Sequence, residues 1–335
     1  MTSKEFAKII GVSQSTISRA MNNSELVTAE RREYIQQKAV EYGFVLNSQA
    51  RSLKTNRTGT VGILFPKHFM GMHANLGLAY LYDLVQKELR KHGYDIMVVY
   101  DSDVAKGLSV FEYTIKKHKV DGFIVLRLDF SREELDLIRK YKVPCVYLLN
   151  AVRVDECSSS CISDSEYGGY LVGQYFSQFK DYTCYYINVN ETADTKSRLA
   201  GYNRGLAEQG VTLKRENILT CNLSIQSAYE CIIASQDSLK DRKCAIFAYN
   251  DMIALGVVNA CKELGLQIPK VIQVVGMDAL PLVAELSPRI TTVKLFQDEI
   301  ARMGCDLLGK AIEDTDKKVV QMIIKPEFVK GATTL

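Results

Sequence analysis

The chain of 335 residues lacks any apolar run near the ~20 residues that a membrane-spanning helix needs. Its N-terminus also lacks the apolar core of a secretion signal, so we expect a cytosolic protein. The nine cysteines are odd in number, scattered, and form no CxxC pair, and there are only four histidines. These counts argue against disulfides and zinc and predict small buried hydrophobic cysteines. We therefore expect no metal and no cofactor.

The segment GVSQSTISRAMNNSELV (residues 11–27) indicates a short helix with two different faces. Ile17 and Met21 are four residues apart and can be buried together, while Ser13 is well placed as the N-cap. The opposite stripe is polar throughout: Gln14, Ser15, Ser18, Arg19 and Asn22. Upstream, SKEFAKII indicates a second short helix, and Gly11 supplies a tight turn between the two. This arrangement is typical of a helix-turn-helix, whose amide, hydroxyl and guanidinium groups suit base edges in the major groove.

A third helix is predicted over VTAERREYIQQKAVEYG (residues 27–43). Its expected features are an N-cap, three inward residues and a terminating glycine: Thr28, Ile35, Ala39, Tyr42 and Gly43. The following residues 44–59 are polar and basic and read as a linker with helical potential. Residues 1–60 hold nine Lys/Arg against five Glu, a balance of +4, whereas the other residues hold 33 against 34 and carry −1. A basic headpiece on a neutral body favours contact with phosphates.

The rest of the chain alternates short β-rich runs with amphipathic stretches such as 77–92 and 166–179. The runs are TVGILF, YDIMVVY, VDGFIVL, VPCVYLL, TCYYINV, CAIFAYN and VIQVVGMD. Continuous apolar strands that alternate with helices predict parallel sheets covered on both faces. There are too many such units for one Rossmann domain, and a seam falls near 150–165. We therefore expect two α/β subdomains, with a ligand cleft at the carboxyl ends of their strands.

The chain resembles the LacI/GalR family of bacterial transcription regulators over essentially its whole length. The resemblance rests on FAKIIGVSQSTISRAMNN and NSQARSLKTNRTGTVGIL at the N-terminus, followed in order by VDGFIV, SEYGGYLVGQYF, RLAGYNRGL, AIFAYNDMIALGVVNACKELGLQIP, VVGMD and SPRITTVK. It implies an α + α/β fold, in which a three-helix helix-turn-helix headpiece and a hinge helix precede a periplasmic-binding-protein type I body of two Rossmann-like subdomains.

The resemblance also implies boundaries. We expect the headpiece at 1–46, the hinge at 47–59 and the effector-binding and dimerisation domain at 60–335. Within that domain the first subdomain would comprise about 60–161 and 294–322, and the second about 162–293 and 323–335, because the chain crosses between them three times.

The family's DNA contacts map onto both N-terminal signatures. The expected base readers and phosphate contacts of the headpiece are Gln14, Ser15, Arg19, Thr2 and Asn22. In the hinge the expected contacts are Asn47 and Lys54 on the DNA backbone, Ala50 near the minor groove and Leu53 as an apolar wedge between base steps. Such a protein would bind a palindromic operator as a homodimer.

The effector contacts that the resemblance implies come from separate segments. They are Arg198 in SRLAGY, Asn250 and Asp278 at the carboxyl ends of strands, Leu223 where the family often has an aromatic wall, and Met70 and His73 in FPKHFMGMHANLG. Asp251 is expected to cap the next helix. Leu149 stands where many members have an Asp, and the Met-rich loop departs from the family pattern. We expect a neutral or singly anionic sugar, or a sugar derivative, rather than a nucleobase, which would need flanking aromatic residues where Leu223 stands. The Met-rich wall with few carboxylates argues against a simple hexose.

Two other classes of protein, binding proteins that do not act on DNA and enzymes, would fit the α/β part of the sequence. The body alone would suit a transport-type binding protein or a cytosolic sugar sensor that does not act on DNA. The headpiece argues against both, and the missing signal peptide argues against the transport-type protein. An enzyme on an α/β scaffold is disfavoured, because no GxSxG, GxGxxG or P-loop follows any strand-like run. The sequence therefore favours a DNA-binding repressor of a carbohydrate-utilisation operon, controlled by a small molecule.

Overall fold

The computed structural model describes residues 1–21, 24–45, 57–66, 75–100, 104–105, 108–127, 131–149, 158–189, 193–314 and 318–335. The chain divides into two compact units, Met1–Gly59 and Thr60–Leu335. None of the described helices is both long and apolar enough to cross a membrane. Seven of the eight described cysteines are buried, as expected for small hydrophobic residues.

The first unit is built on three helices, α1 (Ser3–Ile10), α2 (Gln14–Met21) and α3 (Ala29–Glu41). Hydroxyl side chains cap each of them, since the oxygens of Thr2, Ser13 and Thr28 accept backbone N–H groups in the first turn of α1, α2 and α3 respectively. Gly11, with φ 68°, makes the turn between α1 and α2 in the left-handed region that glycine tolerates best. The predicted helix-turn-helix is therefore confirmed.

A small core holds these helices together. Its fully enclosed side chains are Phe6, Ile17, Ala20 and Ile35, and the Phe6 ring stacks on Phe44 with the centroids 4.3 Å apart. Two expectations need correction. Tyr42 is 45% exposed and lies at the rim beside Phe6, because α3 ends at Glu41 and the chain turns away through Gly43. Ala20, which the apolar stripe of α2 omitted, is more deeply buried than Met21.

The second unit alternates strands and helices. Its described strands are β1 (Thr60–Phe65), β2 (Asp95–Tyr100), β3 (Val104–Ala105), β4 (Leu108–Ser109), β5 (Gly122–Val125), β6 (Cys145–Tyr147), β7 (Ser159–Ser163), β8 (Thr183–Asn188), β9 (Ile218–Thr220), β10 (Cys244–Ala248), β11 (Ile272–Val275), β12 (Thr292–Lys294), β13 (Gln321–Ile324) and β14 (Glu327–Val329). Its described helices are α4 (Leu76–Lys91), α5 (Val110–Lys116), α6 (Arg132–Tyr141), α7 (Ser165–Phe176), α8 (Ala193–Ala207), α9 (Ile225–Ala234), α10 (Gln236–Leu239), α11 (Asp251–Glu263), α12 (Pro281–Ala284) and α13 (Gln297–Glu313).

Two parallel sheets define two lobes. The first lobe has the strand order β13–β7–β6–β5–β1–β2, and the second has β11–β10–β8–β9. Both are nearly continuous in apolar side chains, as sheets covered on two faces require. The two α/β lobes expected from the sequence are confirmed.

The chain passes between the lobes three times. It leaves the first lobe after β7, returns through β12 into α13, which packs on the first sheet, and leaves again after β13 to pair β14 antiparallel with β12. All of β13, through Ile324, lies in the first sheet, two residues beyond the position 322 expected for this crossing. These crossings place the carboxyl ends of the two sheets near each other.

Helices α7 and α8 approach closely because glycine faces backbone on both sides. Gly169 and Gly173 of α7 face the main chain of α8, and Gly201 and Gly205 of α8 face the main chain of α7. A Cβ atom on Gly201 would overlap the backbone carbonyl of Glu166, which no side-chain rotation can relieve. This contact fixes α8, and α8 carries two charged residues of the cleft described below.

Gly201→Ala should therefore destabilise the second lobe. We expect the free energy of unfolding to fall by about 1–3 kcal/mol, the usual cost of overpacking a tight interior contact. Denaturant unfolding followed by circular dichroism measures the change. Gly309→Ala is the matched control, because Gly309 lies in α13 with no heavy atom within 4 Å of its Cβ position. The free energy of unfolding of that control should rise by up to about 1 kcal/mol, because Ala has a better helix propensity than Gly. Equal stability of the two variants would contradict the close packing of α7 on α8.

Candidate functional site

A cavity of about 290 Å³ lies between the two lobes, at the small end of the range for small-molecule sites. The first lobe supplies mainly aliphatic side chains and the second lobe mainly polar ones. The described lining residues are Pro66, Asn75, Gly77, Leu78, Leu81, Leu148, Leu149, Ser163, Gln297 and Ile300 from the first lobe and α13, and Ser165, Val189, Asp194, Arg198, Leu223, Tyr249, Asn250, Asp278 and Leu295 from the second lobe and the end of β12.

Arg198 is the central charged group of the cavity. It lies on α8 one turn after Asp194, and its Nε is 2.8 Å from Asp194 Oδ2. One terminal nitrogen donates to the Tyr249 carbonyl at 2.5 Å, and the guanidinium lies 4.2 Å from the centroid of the Tyr249 ring. The other terminal nitrogen is 4.0 Å from Asp278 Oδ1. Burial would lower the pKa of Arg198, but Asp194, Tyr249 and Asp278 raise it above its ordinary value, so the guanidinium stays charged.

Asp194 holds Arg198 in place and is itself held by two hydroxyls. Ser165 Oγ donates to Asp194 Oδ1 at 2.5 Å, and the Tyr249 hydroxyl donates to Oδ2 at 2.9 Å. A buried ion pair is favourable only when such bonds satisfy its remaining oxygens. Sequence reasoning missed Asp194, although its position four residues before Arg198 on a helix is a detectable signal.

Asp278 is the second carboxylate of the cavity and has far fewer partners. Its side chain is 9% exposed, and among the described residues it forms one ion pair, with the Arg198 guanidinium at 4.0 Å. Burial raises the pKa of Asp278 to about 8, with Arg198 opposing the change and Asp251 and Asp194 adding to it. Its backbone has φ 126° and the next residue has φ 54°, both in the region that disfavours side chains. Strain of this kind is typical of functional sites.

The residue that caps α11 is Asn250 rather than the expected Asp251. Asn250, expected mainly to face the cleft, lines the cavity but also caps the helix, because its Oδ1 accepts from Ile253 N at 3.1 Å. Asp251, expected to be the cap, lies inside the first turn and is fully buried. Its oxygens accept from Thr292 Oγ1 at 2.5 Å and from Leu280 N at 2.9 Å, which fixes the segment that carries Asp278.

The lobes touch at the start of α4. The Leu76 amide of the first lobe donates to the Met252 sulfur of the second at 3.3 Å. A methyl group on Gly77 would lie 3.1 Å from an Asp278 carboxylate oxygen, so only a residue without a side chain leaves this approach free of crowding. The N-terminal end of a helix, which attracts negative charge, therefore lies against Asp278.

Two further parts of the lining were not found from the sequence. Gln297, the first residue of α13, has a buried Oε1 with no hydrogen-bond partner among the described residues. The aliphatic wall of the first lobe was also missed, apart from Leu149, because its members come from four separate segments and each reads as ordinary core.

The headpiece presents the polar face predicted for it. Gln14, Ser15 and Arg19 are exposed on α2, while Gln36 Nε2 of α3 donates to the Ala20 carbonyl at 3.2 Å and ties the two helices together. Thr2 is occupied locally, since its hydroxyl accepts from Glu5 N and its amide donates to Glu5 Oε2 at 2.7 Å. Its exposed position at the start of α1 leaves the hydroxyl hydrogen available to an acceptor.

The structure therefore brings Arg198, Leu223, Asn250 and Asp278 of the predicted effector residues around one cavity. Other predicted contacts lie outside the described residues: Asn22, Asn47, Ala50, Leu53, Lys54, Met70 and His73.

Comparison with known proteins finds the same architecture in DNA-binding regulators. The sequence profile of a periplasmic binding protein-like domain matches residues 179–334. The HTH-type transcriptional repressor PurR of Vibrio vulnificus is 27% identical over 333 residues, covering 98% of this chain and 97% of the relative. This relative is a transcriptional repressor, not an enzyme.

Solved structures share the fold. The lac repressor dimer bound to operator and the anti-inducer ONPF superimposes with a TM-score of 0.77 at 20% identity, covering 100% of this chain and 99% of that one. The complex of the transcriptional regulator CelR with cellobiose gives a TM-score of 0.71 at 21% identity and covers 99% of each chain. The predicted helix-turn-helix and periplasmic-binding-protein architecture is thus confirmed.

The raised pKa of Asp278 predicts a pH-dependent stability. Between its ordinary value of 3.8 and about 8, the folded protein keeps a proton that the unfolded chain releases, so stability falls as the pH rises through this interval. Asp278→Asn carries no such proton, and its free energy of unfolding should rise relative to that of the unsubstituted protein between pH 5 and pH 8. Asp251, whose pKa burial raises to about 6, contributes with the same sign to both proteins. Denaturant titrations at the two pH values measure the difference.

The control is Asp237→Asn, because the Asp237 side chain is 98% exposed. The difference between this variant and the unsubstituted protein should not change with pH. A parallel pH dependence for Asp278→Asn and the unsubstituted protein would contradict a protonated Asp278.

Proposed function

We propose that this chain, which is similar to transcriptional regulators of the LacI family, is a sequence-specific DNA-binding repressor whose operator affinity is controlled by a small molecule bound between the lobes. One observation carries the proposal: the same chain has an exposed base-reading face on a helix-turn-helix and a polar cavity between two lobes. A transport-type binding protein has a use for the second feature but not for the first.

The DNA contacts follow from the exposed side chains of α2. Gln14, Ser15 and Arg19 read bases in the major groove, and Thr2 and Asn22 contact phosphates. The hinge residues Asn47, Ala50, Leu53 and Lys54 bind the backbone and minor groove at the centre of the site. We assign the headpiece to 1–46, the hinge to 47–59 and the effector-binding and dimerisation domain to 60–335.

The operator DNA is palindromic and is bound by a homodimer of the protein. The repressor acts in the cytoplasm, where its operator is, and the lac repressor offers the precedent of a dimer on operator DNA.

The effector is a sugar or a sugar derivative. Arg198, Asn250 and Asp278 together offer donors and acceptors that match vicinal hydroxyls, and Leu223 covers a less polar part. Met70 and His73, which lie outside the described residues, are proposed to cover the remaining apolar surface of the ligand. The CelR complex with cellobiose supports a sugar in a cleft of this fold. By binding residues of both lobes, the effector favours one relative position of the lobes, and through the dimer it changes the operator affinity of the paired headpieces.

Arg19→Ala should weaken operator binding by about 1–3 kcal/mol and relax the preference at one base pair in each half-site, if the guanidinium reads a guanine. Selection of binding sites from random DNA, followed by anisotropy titrations, measures both effects. Lys8→Ala is the comparison: Lys8, an exposed basic residue on α1, lies off the reading face, so the selected sequence should be unchanged. A selected site without two-fold symmetry would contradict the dimeric reading.

Arg198→Lys should abolish the effector response while leaving operator affinity without effector intact. Lysine keeps the charge beside Asp194 but loses the planar fork that reaches Tyr249 and Asp278 together. The measurement is operator binding with and without a panel of cellobiose, ribose, glucose and galactose. Arg204→Lys is the matched control, since Arg204 lies on the same helix, is 54% exposed and pairs only with surface Glu166 among the described acids. A full response in Arg198→Lys would refute the assignment of the cavity.

A further inference from the structure

The first lobe and α13 line the cavity mainly with aliphatic side chains, whereas the charged side chains of the described lining come from the second lobe. Six aliphatic residues of the first lobe and of α13 face the cavity: Pro66, Leu78, Leu81, Leu148, Leu149 and Ile300. None of these side chains has a hydrogen-bonding group. A hydroxyl of a bound ligand placed against them would lose its water without gaining a partner, and such a loss costs affinity.

Three polar side chains of the described lining are already used. Asn75 Oδ1 caps α4 by accepting from Leu78 N at 3.0 Å, and Ser165 Oγ donates to Asp194. Ser163 Oγ donates to the Ile324 carbonyl at 3.4 Å. Aromatic stacking is similarly restricted, because Tyr249 is the one aromatic residue of the described lining and the Arg198 guanidinium covers its ring.

Two acceptors of the described lining, one on the second lobe and one at the start of α13, have unused capacity. The Asp278 carboxylate lines the cavity and receives no hydrogen bond from the described residues, its one ion-pair contact being Arg198 at 4.0 Å. Gln297 Oε1 is buried and also has no partner among them. Buried acceptors left in this state are costly, and a ligand that donates to both removes the cost.

The charges of the described lining do not favour an anion. Arg198 is the single cation there, and Asp194 pairs with it at 2.8 Å. Asp278, the second acid of the described lining, is kept protonated at neutral pH by its burial and supplies no positive charge. A phosphate or carboxylate group would meet this acid rather than an available cation.

We infer that the ligand of this cavity is an amphiphile without negative charge, whose hydroxyl or amine donors bind Asp278 and Gln297 and whose apolar part lies against the leucines of the first lobe. The inference rests on the proposed function and narrows it: among sugars, it selects a glycoside with a short apolar aglycone over the free sugar and over the sugar phosphate. Gln297 becomes a residue that determines specificity, in addition to those assigned above.

The test compares matched ligands on the full-length protein by calorimetry. The probes are the n-butyl β-glycosides of glucose, galactose and ribose, the corresponding free sugars, and their phosphates. For at least one sugar, the butyl glycoside should bind at least tenfold more tightly than the free sugar, and the phosphate should bind more weakly than either. A free sugar or phosphate that binds as tightly as its glycoside would overturn the inference, and so would the failure of all three glycosides to bind.

Leu149→Asn tests the apolar wall itself, because it adds a donor and an acceptor where the ligand's apolar part should lie. The advantage of the glycoside over the free sugar should fall at least fivefold. Leu84→Asn is the matched control, since Leu84 packs against the same core cluster as Leu149 but does not line the cavity. The preference of this variant for the glycoside over the free sugar should be unchanged. An equal change in both variants, or none in Leu149→Asn, would refute the role of the wall.

Gln297→Leu tests the polar end in the same titrations. The substitution should weaken the binding of the glycoside and of the free sugar equally, because the same donor of each ligand loses its acceptor, Gln297 Oε1. Operator binding, measured by anisotropy in the same samples, separates this inference from the proposed function. If the protein bound the glycosides but no operator, the proposed function would fail and the ligand class would stand.

Discussion

The buried guanidinium of Arg198 is the interaction on which the cleft depends. A charge at this depth persists only if the protein replaces its water, and Asp194, the Tyr249 carbonyl and the Tyr249 ring do so from three directions. Those partners in turn determine neighbouring positions: Ser165 is held through Asp194, and the loop after β10 is held through Tyr249. The close glycine contact of α7 with α8 is what brings Ser165 within reach of Asp194.

Much of the fold was predictable because it rests on local patterns. All seven β-rich runs contain a strand, and TVGILF corresponds to β1 without an error at either end. The strands β7, β9 and β13 were not predicted, since SSCIS, ILT and QMII are short or polar and gain their stability from neighbours distant in sequence. Helix caps were predictable at Ser13 and Thr28, where a hydroxyl precedes an amphipathic run.

The site was predictable only in part, for a different reason. Arg198, Asn250 and Asp278 were found by resemblance, and the structure places them around one cavity. That Asn250 rather than Asp251 caps α11 could not be foreseen, because both residues are good caps and the choice depends on Thr292, 41 residues further along the chain. Gln297 gave no signal either, since an exposed glutamine at the start of a helix and a buried one with an unused oxygen look the same in a sequence.

The three crossings between the lobes have a consequence for how this protein can change during evolution. Connections that lie together along one edge of the cleft leave a single easy motion, a hinge rotation that widens or narrows the mouth. Any molecule that fits the cavity therefore acts on the same hinge rotation, whatever its chemistry. Ligand preference can drift through a few side chains of the wall while the transmission to the rest of the molecule is inherited unchanged. In this architecture the ligand specificity can change while the conformational response to a bound ligand stays the same.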